Sequence, residues 1–353
     1  MHFLVVRLSS IGDVVHTLPA VVALRRSYPH SRISWVVERS AATILEGNPT
    51  VDELIVIDTR RWRRQLWRST NWREVFQAVA RLRANSVDIA FDFQGLLKSG
   101  VIAAVSRGRW RLGFSNDGLR EEASRFFLTH QVVIDRQAHV IEKNLRLVNS
   151  VGAHGNGHYE FPIQISAEDT TYIDKLLATH NLSQFVIINP GGGWPTKLWS
   201  TARFAQLADW LWEQLGLPSL VTYGPGEDHL AQAIVAGART GQAHNVVTSL
   251  KQFVALTRRA SLFIGGDTGP LHLAAACRTP IVGIYGPTET SRNGPFDPLD
   301  ICVELKLECR PNCYRRRCPT MECMDVPVAM VAQAVEQRLL QTKLWQLKRS
   351  QNT

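Results

Sequence analysis

The sequence predicts an α/β chain made of two Rossmann-like, doubly wound parallel-sheet domains, and three observations carry the prediction. Short apolar runs of strand length alternate with longer stretches of helical spacing. Glycine-bearing turns follow several of those runs in both halves of the chain. At 353 residues the chain exceeds one ordinary core and suits two. The pattern breaks between Gly152 and Ser166, where GAHGNGHYEFP interrupts it. The expected division is therefore 1–160, 161–325 and a terminal helix in 326–353. His154 and His158 in that linker lack acidic or cysteine neighbours at ligand spacing and read as incidental.

Composition limits the function. With 45% hydrophobic and 20% charged residues the chain reads as globular. No apolar run approaches a bilayer's span, and the opening MHFLVVRLSSIGD lacks the pattern of a signal peptide, so a cytoplasmic location is expected. A net charge of +9 points to an anionic partner: a membrane surface, a phosphorylated lipid or nucleic acid. No nucleic-acid-binding module is recognisable.

Taken in order, Phe3 to Val6 reads as a buried strand leading into Arg7-Leu8-Ser9-Ser10-Ile11-Gly12-Asp13 and an apolar helix holding Val14, Leu18 and Val21. The turn is not GxGxxG, which argues against a nicotinamide-dependent oxidoreductase. Asp13 has two readings. Ser10-x-x-Asp13 has capping-box spacing, and a carboxylate there also stands at the carboxyl end of the first strand, where open α/β sheets place ligands. Further strands fit Ile33 to Val37, Leu54 to Ile57 and Val87 to Phe91. Thr59 to Arg68 is basic and aromatic, and suits an acidic amphiphile, a membrane surface or simply a solvated face. Asp92 to Ser99 is a polar turn entering a helix, and a later helix holds Ala138 to Val151.

In the second half, a strand at Phe185 to Ile188 exits into Asn189-Pro190-Gly191-Gly192-Gly193-Trp194-Pro195-Thr196-Lys197. The loop is not a P-loop, but its glycines permit close approach of a ligand and Lys197 can neutralise phosphate. A helix from Ala202 to Leu215, a strand from Ser219 to Thr222 and a turn ending in Glu227 follow. Glu227 can accept from ribose hydroxyls or favour the next helix start. Leu262 to Thr288 is a strand, a turn on Gly265-Gly266-Asp267, a small-residue helix from Thr268 and a second strand at Ile281 to Ile284. Backbone N–H groups at that helix start, with Gly269, Pro270 and His272 on its first turn, form an anion site or an ordinary crossover.

SSIGDVVHTLPA at Ser9 to Ala20, RRWRR at Arg60 to Arg64, DFQGLLKS at Asp92 to Ser99, and GGDTGPLHLAAA with YGPT resemble the bacterial lipopolysaccharide heptosyltransferases of glycosyltransferase family 9, nearest to its heptosyltransferase I branch. The resemblance implies a GT-B fold, two Rossmann-like domains facing a central cleft. It implies transfer of L-glycero-D-manno-heptose from ADP-heptose to Kdo of Kdo-lipid A, with inversion and without a metal. Asp13 would then be the base and Lys197 a diphosphate ligand. Gly192, Glu227, Asp267, Thr268, Gly269 and His272 would form the donor site. Ser10, Gly12, Arg60, Arg61, Arg63, Arg64, Gln94, Lys98 and Arg120 would meet the acceptor, placing the enzyme peripherally on the cytoplasmic face of the inner membrane. A heptosyltransferase II or other family 9 acceptor, and a non-catalytic protein binding membrane or RNA, remain alternatives.

Cys309, Cys313, Cys318 and Cys323 stand among Arg310, Arg315, Arg316 and Arg317. They read as a structural zinc or iron site or as reduced thiols in a basic loop; disulfides are not expected in the cytoplasm. Cys277 and Cys302 read as packing residues. After Pro327, the stripe Val328, Val331, Val335, Leu339 and Leu344 predicts a final helix, of the kind that in GT-B enzymes crosses back to the first domain.

Overall fold

Parallel strands covered on both faces must be apolar at successive positions, and the unbroken runs of this chain become such strands. The computed structural model describes residues 1–350 except Leu66, Arg68, Asn116, Asp117, Pro311 and Asn312, and over 343–350 the backbone alone, so Leu344 and part of the basic aromatic segment lie outside the described side chains. The chain divides into two units, Met1–Gln164 and Ile165–Thr353, four residues beyond the expected boundary.

The first unit runs β1 (His2–Val6), α1 (Ile11–Ser27), β2 (Arg32–Glu38), α2 (Arg39–Leu45), β3 (Glu53–Ile57), α3 (Thr59–Arg64), α4 (Ser69–Arg83), β4 (Ile89–Asp92), α5 (Leu97–Val105), β5 (Trp110–Phe114), β6 (His130–Val132) and α6 (Val140–Asn149). Its six parallel strands are ordered β3-β2-β1-β4-β5-β6. β1 is buried at every position and registers Val6 beside Val36 on one side and Asp92 on the other. Leu4, Val6, Val36, Ile55, Ala78 and Leu82 share a core on the sheet face covered by α4 and α5.

The second unit repeats the order: α7 (Ala167–Thr179), β7 (Val186–Asn189), α8 (Thr201–Leu215), β8 (Ser219–Thr222), α9 (Asp228–Gly237), β9 (Ala243–Val246), α10 (Leu250–Thr257), β10 (Leu262–Gly266), α11 (Gly269–Ala276), β11 (Ile281–Tyr285), α12 (Thr290–Asn293), β12 (Ile301–Glu304) and α13 (Val328–Ser350). The parallel sheet reads β12-β11-β10-β7-β8-β9. The terminal helix that the sequence sets apart, α13, belongs over its described part to this unit. Val331, Ala332, Ala334 and Val335 enter the second core, and buried Arg338 pairs with Asp300 at 2.9 Å. The helix thereby covers the β11–β12 side of the sheet, whose apolar face its stripe matches.

In a sheet of this order, chain direction reverses its winding between β1 and β4, and again between β7 and β10. Loops leaving the carboxyl ends of those neighbouring strands diverge and leave room for a ligand. Asp13 and Gln94 follow β1 and β4; Lys197 and Asp267 follow β7 and β10.

Candidate active site

In the first unit, the site is built on the β1 exit. Ser10 is the N-cap of α1, and Asp13, in its first turn, returns a carboxylate oxygen to Ser10 N (3.0 Å) and Ser10 Oγ (3.2 Å). The capping reading is therefore correct, and it does not displace the ligand-site reading. The same carboxylate accepts from Arg7 and from Arg120 (3.2 Å). Burial opposes its ionisation, but Arg7 and Arg120 outweigh it and hold the Asp13 carboxyl well below the usual range. Asp13 is thus a carboxylate at neutral pH with two guanidinium partners. Gly12 is buried in the first turn of the same helix.

The β4 exit supports that arrangement. Buried Asp92 accepts from Gln94 N (2.9 Å), Gly95 N (3.0 Å) and Ser99 Oγ (3.0 Å). Gln94 Oε1 in turn accepts from Leu8 N at 2.7 Å, tying the turn to β1. Gly95, at φ +65°, adopts the left-handed turn that glycine permits, and its carbonyl accepts from Arg120 N at 3.0 Å. Arg120 is so placed by the backbone beside Asp13 although it lies 107 residues away.

The remaining acceptor candidates stand at the β2 and β3 exits. Glu38, buried at the end of β2, accepts from Thr59 N (3.1 Å) and from Thr59 Oγ1, and pairs with Lys98 Nζ at 3.4 Å. Arg61 pairs with Glu74. Arg60, Arg63 and Arg64 are exposed and form no ion pair among the described residues. The structure thus gathers Ser10, Asp13, Gln94 and Arg120, and sets the α3 arginines and Lys98 on neighbouring strand ends. Arg7, buried and missing from the sequence-based candidates, is the main added member.

In the second unit, Glu227 fastens two loops: Oε1 accepts from Gly192 N and Oε2 from Gly224 N, both at 2.9 Å. A Cβ on Gly191 would stand 2.0 Å from Glu227 Oε2, so any other residue there would displace that carboxylate from its two backbone partners. Lys197 Nζ donates to Asp267 Oδ2 (2.5 Å) and lies 4.7 Å from the Trp194 ring centre. Buried Asp267 also accepts from Asn293 Nδ2 (2.7 Å) and faces His272 Nε2 at 3.2 Å. Burial opposes its charge, and His272 and Lys197 prevail, so it too is held far below the usual range. Asp267 therefore organises Lys197, His272 and Asn293; Asn293, which comes from α12, escaped the sequence reading because nothing local marks it.

Thr268 caps α11, Gly269 opens it and Pro270 follows, leaving the first N–H groups of the helix unpaired by the ladder. Thr268 Oγ1, buried, finds no partner among the described residues, nor does Thr288 Oγ1 at the β11 exit. Orphan hydroxyls beside a helix N-terminus and a lysine fit an anion that supplies the missing partners.

The cysteine segment is anchored next to this loop. Arg310 donates to Gly286 O (2.8 Å) and Thr288 O (3.2 Å), Thr196 Oγ1 donates to Arg315 O (2.7 Å), and Arg316 lies 4.9 Å from the Trp194 ring centre. All six cysteines are free thiols. Burial and then the nearby Cys313, Cys309 and Cys318 push the Cys323 thiol up. Among the described residues no three metal-type side chains are gathered around a common point, at Cys309, Cys313, Cys318 and Cys323 or elsewhere.

Comparison with known proteins places this geometry. The E. coli heptosyltransferase WaaC with ADP superposes with a TM-score of 0.78 at 24% identity, over 96% of this chain and all of that one. A family 9 glycosyl transferase from Veillonella parvula gives 0.80 at 24%, over 96% and 97%. These likenesses establish the GT-B fold. Lipopolysaccharide heptosyltransferase 1 of Pseudomonas aeruginosa is 30% identical over 330 residues, covering 91% of this chain and 89% of its own. The model of glycosyltransferase family 9 (heptosyltransferase) matches residues 75–323. The strand exits, the ionised Asp13 and the anion-ready start of α11 accordingly sit in an enzyme, and the chain belongs to glycosyltransferase family 9, the heptosyltransferases.

Proposed function

We propose that the protein transfers L-glycero-D-manno-heptose from ADP-heptose to a Kdo hydroxyl of Kdo-lipid A with inversion, the first unit taking the acceptor and the second the donor. The observation that carries the reading is Asp13, ionised and held by Arg7 and Arg120 at the switch point of the first sheet. As the acceptor oxygen attacks the anomeric carbon, its proton passes to Asp13. The bond from that carbon to the diphosphate breaks, and ADP departs with the electron pair. Lys197, the start of α11 and Thr268 Oγ1 meet the charge that grows on the phosphate oxygens, the term that most lowers such a barrier.

A carboxylate this acidic is a weak base while both arginines face it. Arg120 is 43% exposed, and a sugar carboxylate can draw it from Asp13. Acceptor binding would then raise the basicity of Asp13 where it is needed. Glu227, already accepting two backbone N–H groups, keeps lone pairs for ribose hydroxyls. The exposed Arg60, Arg63 and Arg64 support an anionic acceptor at the cytoplasmic face of the inner membrane; among the described residues no helix is long and apolar enough to cross a membrane.

Mass spectrometry of Kdo-lipid A incubated with the protein and a panel of nucleotide sugars tests this. The expected result is a gain of one heptose with ADP-heptose alone. A gain only on already heptosylated Kdo-lipid A would transfer the reading to heptosyltransferase II, and salt-sensitive binding without consumption of any nucleotide sugar would refute it.

A further inference from the structure

Helices on a doubly wound sheet ordinarily seal its face, but α4 leaves part of its apolar stripe uncovered. Val75, Ala78, Val79 and Leu82 follow helical spacing and form one apolar stripe. Ala78 and Leu82 are buried in the first core, whereas Val75 and Val79 are only partly covered. The unfilled space is a cavity of about 430 Å³ between α4, α5 and the β2–β3 side of the sheet, open to the surface. Apart from Thr59 and Lys98 every residue lining it is apolar. Such a volume lies in the range of ligand pockets, roughly 300–1,000 Å³. With almost no polar partner to offer, it holds water poorly and apolar chains well.

The mouth is of the opposite character, and it is fixed. Glu38 binds both polar lining residues, Thr59 through its backbone and hydroxyl and Lys98 through its ammonium. From Thr59 the chain continues directly into α3, which presents Arg60, Arg63 and Arg64 without carboxylate partners among the described residues. Trp72 and Phe76, one turn apart on α4, are 50% and 69% exposed, and Trp67 is 80% exposed. Exposed aromatics and unpaired arginines around an apolar cavity match a molecule with an anionic head and an apolar tail.

We propose that this cavity takes one acyl chain of the anionic glycolipid acceptor while the α3 arginines hold its head group. The proposal rests on the acceptor assignment above and extends it to the lipid portion. A chain anchored at the β2 and β3 exits leaves the sugar end of the acceptor free to reach the neighbouring β1 exit, where Asp13 stands. The cavity then selects acylated acceptors over their water-soluble glycans, through KM and not through the chemical step.

Two readouts test it on the full chain. Initial rates are measured with Kdo-lipid A in mixed micelles and with the same glycan fully deacylated. Val79→Phe, which fills the cavity from a partly exposed wall position, is expected to raise KM for the acylated acceptor about tenfold. Its KM for the deacylated glycan and for ADP-heptose should stay within twofold of the parent enzyme. Val101→Glu, on the 40% exposed wall position of α5, should act the same way should Val79→Phe fail to fold. Equal shifts for both acceptors, or none, would overturn the proposal. The second readout does not need turnover: Kdo-lipid A bearing a diazirine on an acyl chain is photolysed with the protein and the labelled peptides are mapped. Labels in 75–82 and 97–105, competed by Kdo-lipid A but not by phosphatidylglycerol vesicles, support it. Labels elsewhere, or competition by phosphatidylglycerol equal to that by Kdo-lipid A, overturn it, the latter in favour of a bilayer lipid. If neither acceptor gains heptose, the reading of the reaction fails and the labelling alone decides the cavity.

Discussion

Asp13 shows how one side chain can close a helix cap and stay charged while mostly buried. It caps α1 through Ser10 and keeps its charge because Arg7 and Arg120 outweigh the cost of burial. With Asp13 as the proposed base, Asp13→Asn should preserve the cap and ADP binding, measured by calorimetry, yet lower kcat by about 10²–10⁴, the usual worth of a general base. Arg120→Ala should let the carboxyl rise, with Arg7 still holding it below the usual range, so the acid limb of kcat/KM against pH moves to higher pH. Arg120→Lys should restore part of the shift, and an unmoved limb would remove Arg120 from control of the base. Lys197 gives a different signature. Lys197→Met leaves Asp267 charged, buried and short of a partner, which costs about 3–5 kcal/mol in chemical denaturation. Adding Asp267→Asn should recover most of that stability but not the transfer of heptose.

At the scale of elements, the sequence disclosed every inner strand but β5 and, of the four edge strands, β3 alone. β1, β7, β8, β10 and β11 are buried at every position, so their apolar runs stand out. β5, β6 and β9 escaped because Trp110, His130, Gln131 and Asn245 meet solvent at or near sheet edges, where polar residues are favoured. The site divides along the same line. Asp13, Lys197 and the α11 start are legible because cap, charge and glycine turn are local signals. Arg7 and Asn293 are not, since their meaning comes from strands and helices that fold beside them. Gly191→Ala tests the local kind of constraint: its Cβ would collide with Glu227, and the expected result is a tenfold or greater rise in KM for the donor with the acceptor KM unchanged.

Across the whole molecule, two groups of carboxylates respond to acid in opposite directions. Asp13 and Asp267 have folded values below the unfolded value of about 4, so their contribution is complete above pH about 4 and lost as pH falls further. Asp300 is the reverse: burial, only partly offset by Arg338, pushes it up to about 6, so the fold gains from it as pH falls from about 6 toward 4. Urea titrations from pH 7 to 3 should show a shallow rise followed by a steep fall, and Asp300→Asn should flatten the rise alone.

The pair of bonds that Glu227 makes to Gly192 and Gly224 has a historical corollary. Two loops hung on a single peg cannot drift apart: an insertion in one displaces the other, and a residue acceptable to one must be acceptable to both. Tolerance to change in these two turns is thereby coupled, so new preferences there would arise by concerted replacements in both.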